Sequence, residues 1–239
     1  MASARHRHAD RCERESHFWS AYAAVYDLIW DSPLTSEVGR VVSDCLPEPG
    51  TAVDLGCGTG LGSWPLVVRG WSVMGVDTSA AMLGRAVSSG RITTGVRADA
   101  ARTGLASHCA EAVIVANLLH LHHRPDLVLD ETQRLVRPGG TVVVVWPAES
   151  ASSSGVLRAD LWTSRPIGRS LIAAVLRILI GIPGAVLGAR RWSSEAVTQA
   201  VENWAHRCSL RTVASGTIGR TQACAVFVGE PVHRDVADR

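Results

Sequence analysis

The chain has 239 residues, against roughly 100 to 200 for a typical domain, so it predicts one large domain rather than two enzymes in tandem. Hydrophobic residues make up 46% and charged residues 19%, which favours a buried core over long disordered segments. The formal net charge is only +2, so the charge balance indicates no nucleic-acid partner. All 24 basic residues are Arg, which excludes a catalytic lysine.

The amino-terminal segment and the cysteines indicate a cytoplasmic protein. The 6 cysteines show no C-x-x-C spacing, and a chain of this length does not need disulfides, so free thiols are expected. The first 17 residues are rich in Arg and His and contain no apolar signal core, so we expect a flexible tail over 1–17. His6, His8, Cys12 and His17 match no zinc spacing, and no metal is expected.

Apolar periodicity then predicts the elements in chain order. Helical spacing indicates helices over Phe18–Trp30 and Leu34–Cys45. From Thr51 onward, short apolar runs alternate with helical stretches, which is typical of parallel βαβ units. The predicted strands are Thr51–Leu55, Ser72–Asp77, Arg91–Arg97, Glu111–Ala116 and Thr141–Trp146. The predicted helices between them are Gly62–Val68, Ala80–Ser88 and Pro125–Val136.

The last part of the chain predicts one more helix and a hairpin. Ser193 or Ser194 is expected to cap a helix that runs through His206. Ser209–Thr217 and Arg220–Gly229 flank a Ser-Gly turn and are expected to pair in antiparallel fashion. The predicted fold class is therefore α/β, a doubly wound Rossmann-like sheet of seven strands, mostly parallel with a carboxyl-terminal antiparallel hairpin.

The loop after the first strand carries the glycines. Residues 53–60 read VDLGCGTG, at the edge where a doubly wound sheet binds its ligand. A dinucleotide fingerprint requires G-x-G-x-x-G, but Leu61 or Ser63 stands where the third glycine would fall. No Gly-Lys-Ser/Thr follows, so a Walker loop is excluded as well.

The same loop resembles the D-x-G-x-G-x-G motif of class I S-adenosylmethionine (SAM)-dependent methyltransferases. Asp77 in GVD, Met82 five residues later and Asp99 in RAD follow in the expected order. Segment 111–145 is similar to the family's fourth strand, its His-containing loop and its Pro-Gly-Gly turn. The resemblance covers about residues 22–145 strongly and the final helix and hairpin more loosely. It implies a methyltransferase of the small-molecule type that uses SAM.

The resemblance also implies which residues hold SAM. A carboxylate at a strand end suits the two ribose hydroxyls, which favours Asp77. Asp99 would accept from the adenine amino group, and Met82 would cover a face of the ring. Taken singly, these acidic residues could instead be turn formers or helix caps, and the methionine could be core filler.

The methionine end of SAM is expected against the glycine loop. Asp54 would place negative charge near the ammonium group, to which the family also lends the backbone carbonyl of Asn117. Tyr22 or Tyr26 would close over the site from the first helix. The full set of expected cofactor residues is Asp54, Gly56, Cys57, Gly58, Gly60, Asp77, Thr78, Met82, Asp99, Ala100, Asn117 and Tyr26.

Three histidines follow the fourth strand. Methyl transfer from a sulfonium is an in-line displacement, so a general base is the only further group that the chemistry sometimes needs. His120 and His122 are the candidate catalytic residues, and His123 lies beside them. The family's His-His pair aligns with His120 and Leu121, counted back from Arg134, so this sequence departs by one residue. Capping the next helix or lining the pocket is the alternative role.

An insertion between the fifth strand and the last helix is expected to choose the acceptor. The predicted domain spans 18–229, with 147–192 as an apolar insertion and 230–239 as a loose tail. Within the insertion, Leu171–Ala189 is almost wholly apolar, but Arg177 and a Gly-Pro-Gly group disfavour a membrane-spanning helix. A lid over an apolar acceptor, a peripheral membrane contact and a homodimer face remain open.

Three functions compete at this stage. The leading hypothesis is a methyltransferase that acts on a hydrophobic small molecule, such as a secondary metabolite, a quinone-like ring or a lipid. The alternative is a SAM-binding protein without methyl transfer, with a regulatory or repurposed role. A nicotinamide oxidoreductase is disfavoured by the failed fingerprint. Nucleic acid is not expected as an acceptor, because the Asn/Asp-Pro-Pro-Tyr motif is absent after Asn117.

Overall fold

The computed structural model describes residues 17–28, 30–148, 192–218 and 222–229. The helices are α1 (17–28), α2 (Pro33–Asp44), α3 (Trp64–Val68), α4 (Ala80–Ser88), α5 (Pro125–Leu135) and α6 (Ser194–Arg207). The strands are β1 (Thr51–Leu55), β2 (Ser72–Asp77), β3 (Thr94–Arg97), β4 (Ala110–Ala116), β5 (Val136–Pro147), β6 (Leu210–Ile218) and β7 (Gln222–Gly229).

These strands form one sheet in the order β3-β2-β1-β4-β5-β7-β6. The first five strands pair in parallel, whereas β7 is antiparallel to both β5 and β6. The order reverses direction between β1 and β4, which is the switch point where an open α/β sheet binds its ligand. The predicted seven-stranded Rossmann-like fold is confirmed.

Most predicted elements have the expected bounds, and β1, β2 and α4 match in full. One error concerns β3, which begins at Thr94 rather than at the predicted Arg91. The Arg91 backbone N–H bonds to the carbonyl of Ala86, which closes the preceding helix and keeps this residue out of the ladder. β5 is longer than predicted, because Val136 pairs with Ala110 across an irregularity ahead of the main register.

Helix caps explain where several helices begin. The hydroxyl of Ser193 accepts from the N–H of Ala196, so Ser193 is the cap of α6. Ser79 caps α4 in the same way, through a bond from the N–H of Met82. The second of these caps fixes the helix that follows the carboxyl end of β2.

The central strands of the sheet are buried on both faces, whereas the edge strands β3 and β6 are largely exposed. Every side chain from Val142 to Val145 is fully buried, as expected for a central strand covered on two sides. Helices α5 and α6 cover one face, where Leu129 and Trp204 pack on the sheet. On the other face, α2, α3 and α4 contribute apolar side chains such as Leu66. The carboxyl ends of the parallel strands are thereby held in a rigid frame.

Several predictions fall on residues outside the described ranges. Most of the 1–17 tail, the 230–239 tail and nearly all of the 147–192 insertion, including Leu171–Ala189, lie there. Within the ranges that the structure describes, no helix has the length and apolar character needed to cross a bilayer.

Candidate functional site

A cavity opens at the carboxyl ends of β1, β2, β3 and β4. Nine of the expected cofactor residues line it, namely Tyr26, Gly56, Gly58, Asp77, Thr78, Met82, Asp99, Ala100 and Asn117. Of the two candidate catalytic residues, His122 also lines the cavity. The strands position these residues because the ends of parallel strands meet at a single edge of the sheet.

Asp77 ends β2 and anchors two neighbouring segments. One carboxylate oxygen accepts from the N–H of Gly58 at 3.0 Å, and the other accepts from the N–H of Ser79 at 2.8 Å. Burial raises the pKa of Asp77, while these two backbone bonds act in the opposite direction. The side chain therefore holds the glycine loop and the start of α4 against each other at the cavity.

The glycines are required by close packing and by backbone conformation. Gly56 has φ +73°, and a Cβ there would lie 2.9 Å from a methyl carbon of Leu118. Gly60 has φ +76°, and its Cβ would lie 2.9 Å from Cβ of Arg91. Both positions exclude a side chain, and at Gly56, which lines the cavity, the loop backbone itself forms the edge.

Three expected cofactor residues do not line the cavity: Asp54, Cys57 and Gly60. The carboxylate of Asp54 is buried and accepts a hydrogen bond from the hydroxyl of Ser63. Burial raises the pKa of Asp54 to about 6, Ser63 lowers it and the nearby Asp77 raises it further. The carboxylate of Asp54 therefore does not touch a ligand in this cavity directly. It can act on such a ligand only through its charge or through a bridging water.

Asp99 and His122 meet at the far side of the cavity. Asp99 follows β3, and His122 lies in the loop between β4 and α5. Nε2 of His122 is 3.0 Å from Oδ1 of Asp99, and that oxygen also accepts from the N–H of Ala101 at 2.8 Å. The His122 ring stacks on His123, with centroids 4.6 Å apart. His120 is buried and is not a cavity residue.

Helix α1 forms the opposite wall. Tyr26 lies over Gly58, and burial is the main reason that the pKa of its hydroxyl is raised. The hydroxyl groups of Ser20 and Ser79 are 2.9 Å apart, which joins α1 to the cap of α4. Tyr22, the other tyrosine expected at the site, packs with Met82 and does not line the cavity.

The sequence reasoning missed part of the cavity wall: Trp19, Leu118 and Leu121. Trp19 lies three positions before Tyr22 and seven before Tyr26, so the helical spacing of the aromatic residues could have placed it on the same face. The two leucines follow β4 directly, and their position at a strand end was the available signal.

The side chain of Asn117 gives a further indication of what the cavity binds. This residue has φ +55°, and its side-chain carbonyl oxygen is buried without a hydrogen-bond partner. A bound donor such as an ammonium or hydroxyl group would satisfy it. Together with the carboxylates of Asp77 and Asp99, this oxygen makes the cavity a set of acceptors, which fits the hydroxyl, amino and ammonium groups of SAM.

Comparisons with known proteins agree with this geometry. Residues 53–144 match the family model of a methyltransferase domain. A SAM-dependent methyltransferase from Aquifex aeolicus is 14% identical, with a TM-score of 0.59 over 87% of this chain and 97% of that one. The 1,6-didemethyltoxoflavin-N1-methyltransferase of Burkholderia thailandensis was solved with bound 1,6-didemethyltoxoflavin and S-adenosylhomocysteine. It is 14% identical, with a TM-score of 0.61 over 93% of this chain and 90% of that one.

A third similar structure is the [4+2]-cyclase SpnF, 13% identical with a TM-score of 0.57 over 82% of this chain and 81% of that one. No functionally curated protein matches the sequence. The matched domain and the fold around it are those of class I SAM-dependent methyltransferases. The chain is an enzyme that carries this methyltransferase domain over residues 53–144, and SAM is its cofactor.

Proposed function

We propose that this methyltransferase acts on an apolar small molecule, such as a secondary metabolite, a quinone-like ring or a lipid. The observation that carries the proposal is that the cavity is lined both by carboxylates and by large apolar side chains. We assign Asp77 and Asp99 to a polar side of the cavity, and Trp19, Leu118 and Leu121 to an apolar side. A cofactor with many donors suits the first side, and a flat or greasy acceptor suits the second.

On the polar side, we assign Asp77 to the ribose hydroxyls and Asp99 to the adenine amino group. Met82 is 1% exposed and lines the cavity, and we assign it to a face of the adenine ring. The unpartnered amide oxygen of Asn117 and the backbone of Gly56 are assigned to the methionine end. When bound, SAM supplies a methyl group on an activated sulfonium carbon.

On the apolar side, the chain orients the acceptor and excludes water. Leu118 and Leu121 come from the loop after β4, and the planar side chains of Trp19 and Tyr26 come from α1. Planar side chains of this kind hold a planar acceptor at low entropic cost. Orientation in a dry site supplies much of the rate of an in-line displacement.

The insertion is proposed as a lid over the acceptor. Its two ends are anchored near the cavity, because β5 ends at Pro147 and the indole N–H of Trp192 donates to the carbonyl of His122 at 3.0 Å. Flotation with liposomes, comparing the wild type with a Leu176→Glu/Leu179→Glu variant, separates a lid from a membrane contact. Equal absence of flotation in both supports the lid, and wild-type flotation that the variant loses contradicts it.

A cytoplasmic location is part of the proposal. The five cysteines in the described part of the chain carry free thiols, which suits a reducing compartment. Fractionation of the source cells would test it, with recovery in the cytosolic fraction as the expected result.

The direct test follows label from the methyl group of SAM. Because a similar fold serves a [4+2]-cyclase, production of S-adenosylhomocysteine and a labelled product must both be measured. Matched pairs of acceptors, each with an apolar and a carboxylated version, are incubated with the wild type and with Asp77→Ala. The proposal expects transfer to the apolar member of each pair and a loss in the variant. Preferential transfer to charged acceptors or to protein would contradict the acceptor assignment.

A further inference from the structure

All four polar atoms of His122 are engaged. Its backbone N–H donates to the carbonyl of Leu118 at 3.0 Å, and its own carbonyl accepts from the indole of Trp192 at 3.0 Å. In the ring, Nδ1 accepts from the backbone N–H of Arg124 at 3.1 Å. The other nitrogen, Nε2, lies 3.0 Å from Oδ1 of Asp99.

These contacts fix the proton of the ring. A backbone N–H only donates, so Nδ1 must present its lone pair to Arg124. A neutral imidazole has a single ring N–H, which is therefore on Nε2 and points at the carboxylate of Asp99. No lone pair of this ring is left to receive a proton from an acceptor molecule.

Hydrogen bonds also fix the orientation of the Asp99 carboxylate. Oδ1 of Asp99 receives a second bond from the N–H of Ala101 at 2.8 Å, so two donors converge on one oxygen and set the rotation of the group. The side chains of His122 and Asp99 are only 11% and 23% exposed, so solvent competes little for the bond between them. Stacking on His123 keeps the His122 ring in its plane.

We infer that His122 is a positioning residue, which holds the Asp99 carboxylate toward the adenine end of the cofactor and does not act as the general base. This inference rests on the proposed contact between Asp99 and the adenine amino group. It also ties that contact to the end of the insertion, since Trp192 bonds to the same histidine.

Substitution of His122 by glutamine and by phenylalanine distinguishes the positioning role from the role of a general base. The amide N–H of His122→Gln can replace Nε2–H toward Asp99 but cannot act as a base, whereas His122→Phe keeps the planar shape and loses the bond. His206→Gln, on the exposed surface of α6, is the matched control. The readouts are the calorimetric Kd for S-adenosylhomocysteine and the turnover of SAM.

The positioning role expects His122→Phe to weaken S-adenosylhomocysteine about tenfold, the loss of one charge-assisted hydrogen bond. His122→Gln should recover most of the affinity that His122→Phe loses, and the control His206→Gln should stay within about threefold of the wild type in both readouts. Adding Asp99→Asn to His122→Phe should cost little more than either change alone, because the two side chains act as one unit. The nitrogen spectrum of the wild-type ring should show the Nε2–H tautomer.

Other results overturn the inference. Wild-type affinity in a folded His122→Phe protein would show that the histidine does not position Asp99. A fall in turnover of 100-fold or more in His122→Gln, with unchanged affinity, would identify a general base (about 10²- to 10⁴-fold is typical). The Nδ1–H tautomer would contradict the bond scheme directly. If Asp77→Ala also leaves the affinity unchanged, the proposed cofactor site itself is wrong, whereas an effect of Asp77 alone limits the failure to His122.

Discussion

A guanidinium nitrogen of Arg91 lies 2.7 Å from a carboxylate oxygen of Asp27, 64 residues earlier in the chain. The other carboxylate oxygen of Asp27 accepts from the hydroxyl of Thr59 at 2.6 Å. Asp27 belongs to α1, Thr59 to the glycine loop and Arg91 to the turn before β3. One carboxylate thus connects the wall of the cavity that α1 provides with the glycine loop, to which the methionine end of the cofactor is assigned.

Asp27→Ala should loosen α1 and weaken the cofactor. Two charge-assisted bonds are lost, and Trp19 and Tyr26 are then held less firmly over the cavity. We expect the Kd for S-adenosylhomocysteine to rise about 5- to 10-fold and the amides of 17–28 to exchange faster. Asp44→Ala, which breaks the exposed pair between Asp44 and Arg40 on α2, is the control. Equal effects of the two substitutions would refute a specific link.

Asp77→Ala should weaken SAM by about 1 to 3 kcal/mol, because charge-assisted hydrogen bonds to the ribose are lost. The change also removes acceptors for the N–H groups of Gly58 and Ser79, so a thermal melt must show that the variant is folded. Asp130→Ala, which breaks an exposed pair with Arg207, is the control. Unaltered affinity in a folded variant would place the ribose elsewhere.

The elements that the sequence predicted best are those with strong periodic or boundary signals. β1 and β2 are apolar runs between turn residues, and the bounds of both match in full. The last two strands pair in antiparallel fashion, as predicted. The failure at β3 has a different origin. Ile92 is buried and apolar, which mimics a strand residue, but it lies ahead of the strand and belongs to the apolar cluster that contains Leu66 of α3 and Ala86 of α4.

The candidate site also contains features that the sequence predicted and features that it did not. Asp77, Asp99 and Asn117 line one cavity because strand ends converge, and strand ends are visible in a sequence. The contact of Asp27 with Arg91 and the locked ring of His122 join residues far apart in the chain, and a single pair of polar residues leaves no periodic signal. Such contacts depend on the packing of α1 and of the loop after β4, which periodicity does not specify.

Glu131 should stabilise the fold in a manner that acid removes. Its carboxylate accepts from the hydroxyl and N–H of Thr103, at 2.5 and 2.8 Å, and pairs with Arg134 at 2.7 Å. Burial alone would raise the pKa of Glu131, but the bonds from Arg134 and Thr103 outweigh it and lower the pKa to about 2. A lowered pKa means that the folded state favours the carboxylate, so the stabilisation is complete above the unfolded value and fades as the pH falls toward 2.

The test of Glu131 compares Glu131→Gln with the wild type in urea at several pH values. The variant should be less stable by about 2 kcal/mol at pH 7, and the difference should shrink between pH 4.5 and pH 2. Glu202→Gln, on the exposed side of α6, should show no such trend. A difference that is constant with pH would mean that Glu131 acts through shape and not through its charge.

Asp54 should have the opposite dependence on pH. Burial raises its pKa to about 6, so between about pH 4 and pH 6 the folded state binds a proton that the unfolded chain has released. Stability therefore falls as the pH rises through this window, and the full cost is present above pH 6. Asp54→Asn, whose amide oxygen still accepts from Ser63, should raise the free energy of unfolding by about 2 kcal/mol at pH 7 and change it little at pH 4.

The same Asp54→Asn substitution tests why the enzyme retains a destabilising charge. If that charge serves the ammonium group of the cofactor, S-adenosylhomocysteine should bind about tenfold more weakly, whereas methylthioadenosine, which lacks the ammonium, should bind as before. Asp44→Asn, exposed on α2, should change neither affinity nor stability. An equal loss for both ligands would mean that Asp54 acts on the nucleoside part that the two molecules share, through the loop N–H of Gly58 that bonds to the carboxylate of Asp77. A gain in stability without any loss of affinity would leave the buried charge without a role in binding.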